Sequence, residues 1–182
     1  MRWVRPDEEA PTVHDVDYRG LARRGTRALL FDLDNTLGLW RRGTLERRVR
    51  ELLRGLQGGG FRLAVLSNAR LPPDAPVVHE LRRLGIPVVA PAWKPFKRGF
   101  RRALRLLGAE PSEAAVIGDQ LLTDVLGGRR MGLYTVLVEP LGPREARLTK
   151  VNRALERLLG RRPIFLQRGG KVVQAHRGAD RR

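Results

Sequence analysis

The 182-residue chain contains no cysteine. That excludes a disulfide framework, a thiolate metal site and a thiol nucleophile, so covalent chemistry falls to oxygen or nitrogen. Aromatic residues make up only 5% of the sequence, too few to alternate with basic side chains as stacking platforms for unpaired bases. No apolar run approaches the roughly 20 residues that cross a bilayer, and the opening segment MRWVRPDEEAPTVHDVDY lacks the apolar core of a signal peptide. A cytoplasmic protein is expected, peripheral at the inner face of a membrane at most. Acidic residues are scarce too, 19 against 36 basic ones, for a formal net charge of +17. Lysine is rarer still: Lys94, Lys97, Lys150 and Lys171 are the full set, the other cations being arginine.

The excess of arginine has two readings, a GC-rich coding bias or attraction to a polyanion such as nucleic acid or an anionic membrane. The arginines are spread along the whole chain and do not choose between them. A hydrophobic content of 42% at this length suits one well-buried domain rather than two.

Short apolar runs alternate with segments of helical period. Strands are predicted at ALLFD (28–32), FRLAVLS (61–67), IPVVA (86–90), AAVIGD (114–119) and YTVLVEP (134–140). Helices are predicted at 45–56, where Leu45, Val49, Leu52, Leu53 and Leu56 form one stripe, and at 77–85, 96–108 and 121–132. Such alternation builds an α/β fold, a three-layer Rossmann-like arrangement with a mainly parallel sheet of roughly five strands, because parallel neighbours need crossover connections. The domain is expected to occupy residues 1–160, followed by a basic tail over 161–182, disordered at least at its end.

In such sheets the ligand sits beyond the carboxyl ends of the strands, and three of these strands end in polar chemistry. Asp32 and Asp34 close the first predicted strand, one residue apart. Two carboxylates so close repel unless a cation or proton lies between them, and Mg²⁺ is the usual oxygen-loving choice; a plain strand-ending turn explains the pair as well. Ser67 and Asn68 end the second, where a hydroxyl and backbone N–H groups suit a phosphate or simply a turn. Gly118 and Asp119 end the fourth, and Asp124 follows five residues on; Asp119 is a third carboxylate for a metal or a helix N-cap. Lys94, beside Pro95, is poorly placed for a helix interior and is either part of this chemistry or a solvated surface charge.

These stretches, in this order, resemble the haloacid dehalogenase (HAD) superfamily of phosphohydrolases. DLDNTL matches the D-x-D-x-T nucleophile motif, LSN the Ser/Thr motif, KP the lysine motif and GDQLLTD the acidic motif. More narrowly, GDQLLTDVLGGRRMGLYTVLVEPL with TKVNRALER resembles the class IIIA, YqeG-like subfamily, related to phosphatidylglycerophosphate phosphatase. The likeness spans roughly residues 10–160. It implies Asp32 as the nucleophile that forms an aspartyl-phosphate, and Asp34 as general acid and then base. It implies Mg²⁺ held by Asp32, the backbone carbonyl of Asp34, and Asp119. Ser67 and Lys94 would stabilise the transferring phosphoryl group, with Thr36 and Asn68 completing the phosphate-binding loops and Asp124 orienting Lys94 or the metal's water shell. Lys97 competes with Lys94 for the lysine role, and the K-P pair favours Lys94.

The intervals between Asp32 and Ser67 and between Ser67 and Lys94 hold one helix and one strand each, so a capless enzyme is expected, open to a phosphate displayed on something large unless an oligomer covers the site. A phospholipid headgroup at an anionic membrane fits both the subfamily and the charge. Trp40, Trp93 and the amphipathic stretch NRALERLLGRRPIFL are candidate contacts with such a surface. The alternatives are a nucleotide, sugar, protein or nucleic-acid phosphate as substrate, or a basic nucleic-acid or ribosome-associated binding protein, which the shortage of aromatics disfavours.

Overall fold

A computed structural model describes residues 5–38 and 43–141. In chain order the elements are β1 (Glu8–Ala10), α1 (Tyr18–Arg23), β2 (Ala28–Asp32), α2 (Arg47–Gly58), β3 (Arg62–Leu66), α3 (Pro76–Arg83), β4 (Val88–Val89), α4 (Lys97–Leu107), β5 (Ala114–Gly118), α5 (Leu126–Met131) and β6 (Tyr134–Val138). A single π-helical turn, Leu121–Val125, leads into α5. Trp40, the stretch 152–166 and the tail 161–182 lie outside the described residues, as do Lys150 and Lys171.

The six strands form one sheet in the order β1-β6-β5-β2-β3-β4, and every pairing is parallel. Parallel strands need helical crossovers, and these cover both faces, so the central strands are apolar throughout. β2 is accordingly buried at all five positions. Its side chains alternate between two cores. Leu29 and Phe31 pack with Leu21, Val49, Leu53 and Leu81 from α1, α2 and α3. Ala28 and Leu30 pack with Phe100, Ala103, Leu104 and Leu107 from α4.

The α4 side is built for close approach. Small residues, Ala28, Ala64 and Ala114, line that face of the sheet. On α5, a Cβ at Gly127 would overlap the Phe100 ring, and one at Gly128 would overlap Val116. Gly128 therefore lets α5 sit directly on β5 and β6, and Gly127 lets it sit against α4.

The sheet has one strand more than the five expected. β1 has only three residues, two of them glutamate, and carries no alternating signal of its own. Its docking is tertiary: the Asp7 carboxylate accepts from the Thr135 N–H and hydroxyl at 2.9 and 2.8 Å, and from Arg129 at 2.7 Å. This clasp lays Glu8–Ala10 alongside β6. α1 was likewise unexpected, and is capped by Asp17, whose carboxylate accepts from the Gly20 N–H at 2.8 Å.

Among the described residues, the stretches between Asp32 and Ser67 and between Ser67 and Lys94 hold one helix and one strand each, with no inserted domain. The described residues carry no cap. No described helix is long and apolar enough to cross a membrane.

Candidate active site

β5, β2 and β3 are adjacent and parallel, so the residues that end them gather at one edge of the sheet. Asp32 pairs in register with Leu66, which places Ser67 one residue beyond it. Asp119 follows Gly118 at the end of β5. The loop after β2 is tight: the Leu37 and Gly38 N–H groups both donate to the Leu33 carbonyl at 3.1 Å, and the Asn35 N–H donates to Gly38 at 2.7 Å. Asn35 takes a left-handed φ of 64°, which asparagine tolerates better than most residues. This turn carries Asp34 across to β3, where its carboxylate accepts from the Ser67 hydroxyl at 3.0 Å.

Lys94 is drawn fully into this edge and is only 5% exposed. Its ammonium donates to Asp32 Oδ1, to Asp124 Oδ1 at 2.6 Å and to the Leu66 carbonyl at 3.2 Å. Asn68, expected on the phosphate, uses both ends of its side-chain amide elsewhere. Its Oδ1 accepts from the Lys94 N–H at 2.7 Å and its Nδ2 donates to the Lys94 carbonyl at 2.9 Å. The lysine's backbone is thus fixed to the end of β3. Lys97, the competing candidate, is an exposed residue at the first position of α4.

The metal set expected from the sequence comprised Asp32, the Asp34 carbonyl and Asp119. The carboxylate found beside Asp32 and Asp119 is that of Asp124; the three offer oxygens within 4.8 Å of one another, and all three residues are buried. The π-helical turn brings Asp124 inward, and Gly118 makes room for it, since a Cβ there would overlap the Asp124 carboxylate. π turns recur at functional sites because they re-aim one side chain without ending the helix. Asp124 also accepts from the Gln120 N–H at 3.2 Å. The Thr36 hydroxyl reaches Asp119 at 3.5 Å, a long contact that ties the nucleophile loop to β5.

The donor set suits a divalent cation. Three buried carboxylates gather beside the Lys94 ammonium, and Asp32 Oδ2 is buried with no hydrogen-bond partner among the described residues. An orphaned carboxylate oxygen in a water-poor site is costly unless a cation or proton meets it. Burial pushes Asp32 up to about 7 against the pull of Lys94, with Asp124 and Asp34 adding to the rise. Burial also raises Asp34, opposed by the Ser67 hydrogen bond and by Lys94. For Lys94, burial alone would lower the value; the Asp124 and Asp32 carboxylates outweigh it and hold the ammonium above the usual lysine range. The two aspartates of the nucleophile motif differ in surroundings, Asp32 fully buried against the Lys94 ammonium and Asp34 half-buried beside the Ser67 hydroxyl, and burial raises both.

Asp32, Asp34, Ser67, Lys94, Asp119 and Asp124 stand together at this edge of the sheet. The clamping role of Asn68 and the space-making role of Gly118 were not anticipated. The only trace of either was position, an amide and a glycine immediately next to a charged or hydroxyl residue at a strand end.

A family model described as HAD-hydrolase-like matches residues 92–154. The probable phosphatase YqeG of Bacillus subtilis (strain 168) is 36% identical over 156 residues, covering 86% of this chain and 89% of that protein. The chloroplastic phosphatidylglycerophosphate phosphatase 1 of Chlamydomonas reinhardtii is 34% identical over 142 residues, covering 75% of this chain and 53% of that protein. The chain thus spans about half the length of the algal protein. A crystal structure of a HAD family hydrolase from Deinococcus radiodurans R1 superposes with a TM-score of 0.51 at 19% identity, over 71% of this chain and 88% of that one, a likeness of fold. With the motif residues converging at one sheet edge and a relative matched over nearly its whole length, the chain belongs to the haloacid dehalogenase superfamily and is a HAD-family phosphatase related to YqeG.

Proposed function

We propose that the protein is a Mg²⁺-dependent phosphomonoesterase that works through an aspartyl-phosphate, and that its substrate is a lipid-borne phosphate, phosphatidylglycerophosphate, converted to phosphatidylglycerol. The observation that carries the catalytic part is the buried Asp32 carboxylate, held by Lys94 on one oxygen and left with an orphaned second oxygen beside Asp119 and Asp124.

In the first step an Asp32 oxygen attacks phosphorus, the bond from phosphorus to the leaving alcohol oxygen breaks, and Asp34 gives that oxygen its proton. In the second, Asp34 takes a proton from water, the water oxygen attacks phosphorus, and the bond to Asp32 breaks to release phosphate and restore the carboxylate. The Ser67 hydroxyl and the Lys94 ammonium hold the phosphoryl oxygens through both steps. Asp124 keeps Lys94 charged and in place, and Asn68 fixes its backbone. Asp32, Asp119 and the Asp34 carbonyl would hold a Mg²⁺, which would supply positive charge to offset that of the phosphate.

The lipid part of the reading is supported by the algal relative's name, by the capless site, and by the +17 charge, which suits peripheral association with an anionic leaflet. The test is phosphate release from phosphatidylglycerophosphate in mixed micelles, with and without Mg²⁺, beside a panel of soluble phosphate monoesters. Preference for the lipid is expected. Cleavage of soluble esters alone would remove the lipid assignment and leave the phosphatase chemistry in place.

A further inference from the structure

The large apolar side chains that stand exposed among the described residues are Trp93 at 57%, Phe96 at 62% and Leu106 at 54%. All three fall on the short segment that starts beside Lys94 and runs along α4. The core does not require them, because α4 buries Gly99, Phe100, Ala103, Leu104 and Leu107 instead. Trp93 also holds a left-handed φ of 56°, an unfavourable backbone for a bulky residue, which keeps an indole at the surface immediately before the catalytic lysine.

The rest of the exposed face of α4 is cationic. Lys97, Arg98, Arg101, Arg102 and Arg105 are all exposed, and the helix contains no acidic residue. None of the five pairs with an acid among the described residues. A cleft of about 210 Å³ lies beside this face, with Trp93, Arg98 and Arg102 among its lining residues. Exposed aromatics just ahead of a helix, with a leucine and arginines along it, are the make-up of an interfacial element, with apolar groups for the acyl boundary and cations for anionic headgroups. An RNA surface would have use for the cations but none for Leu106.

We infer that the exposed face of α4, led by Trp93 and Phe96, is a docking surface for an anionic lipid bilayer, which seats the Lys94 end of the site at the headgroup level. The purpose of the surface rests on the lipid-phosphate reading above, whereas its existence is testable without any substrate. Wild-type protein should sediment with vesicles containing phosphatidylglycerol and not with phosphatidylcholine alone. The variant Phe96→Ser/Arg98→Glu/Arg102→Glu should partition more than about tenfold more weakly, with unchanged thermal melting and unchanged cleavage of a soluble phosphate monoester. In a Trp3→Phe/Trp40→Phe protein, where Trp93 is the one tryptophan left, brominated lipid should quench the tryptophan fluorescence. Equal partitioning of the triple variant, absence of quenching when Trp93 is the one tryptophan, or binding of an RNA oligonucleotide in place of the vesicles would each overturn the inference. Vesicle binding that depends on α4, without hydrolysis of phosphatidylglycerophosphate, would remove the substrate assignment and leave the docking surface standing.

Discussion

Lys94 is held by two carboxylates and a carbonyl, so its charge is shared between Asp32, the proposed nucleophile, and Asp124 rather than presented to solvent. That arrangement makes Asp32→Asn informative. The amide is isosteric and Asp124 still pairs the ammonium, so the folded state should survive while the nucleophile is lost. Phosphate release should fall by about 10³-fold or more with a melting temperature close to wild type. Near-normal turnover in a folded Asp32→Asn protein would refute the assignment of the nucleophile. The pH dependence of cation binding follows from the same residue. Asp32 is raised to about 7 by burial, above its unfolded value, so in the cation-free protein its stabilising contribution is present at low pH and is lost as pH rises through about 7. A cation must displace that proton to bind. The thermal shift produced by saturating Mg²⁺ should therefore be small at pH 5 and larger at pH 8, read by differential scanning fluorimetry; an equal shift at both values would remove Asp32 from the ligand set.

Two connecting elements decide whether those charges meet. The β3 end carries the Asn68 clamp on Lys94, and Asn68→Ala should lower kcat by roughly tenfold to a hundredfold, since a lysine free to shift by about 1 Å loses its hold on the transferring group. KM should change little, and Asn68→Asp, which keeps the acceptor for the Lys94 N–H, should recover part of the loss. The β5 end carries Gly118, where a Cβ would overlap the Asp124 carboxylate. Gly118→Ala should destabilise the fold by about 1–3 kcal/mol, the usual overpacking range, and lower activity beyond that by displacing Asp124 from Lys94; both are measurable by denaturant titration alongside a rate assay. The strands that bear these residues were legible because ALLFD, LAVL and AAVIG are continuous apolar runs that end in chemistry. The elements that escaped notice depend on distant partners. β1 is a pair of glutamates and an alanine until Asp7 reaches Thr135 and Arg129, and the π turn at Leu121–Val125 has the same apolar spacing as an ordinary helix start. Likewise Asn68 next to Ser67 reads as a turn residue, because its partner lies 26 positions away.

At the scale of the whole molecule, an all-parallel sheet collects every reactive strand end at one edge, and without a cap domain nothing among the described residues encloses that edge. Substrate selection must then come from the surface around the site rather than from a lid, and the chain as a whole is strongly positive. A net charge of +17 attracts polyanionic surfaces over about a Debye length, roughly 10 Å at 0.1 M salt and under about 5 Å at 0.5 M. The buried pairs of Lys94 with Asp32 and Asp124 are screened far less. Surface attraction and chemistry should therefore separate under salt. Raising NaCl from 0.05 to about 0.5 M should increase the apparent KM for a lipid phosphate in anionic vesicles several-fold, with kcat nearly unchanged. For a small soluble phosphate monoester neither constant should move by as much. If salt instead lowers kcat equally for both substrates, the arginines act on the chemistry or on folding rather than on capture of a charged surface, and their abundance gives no support to a membrane-borne substrate.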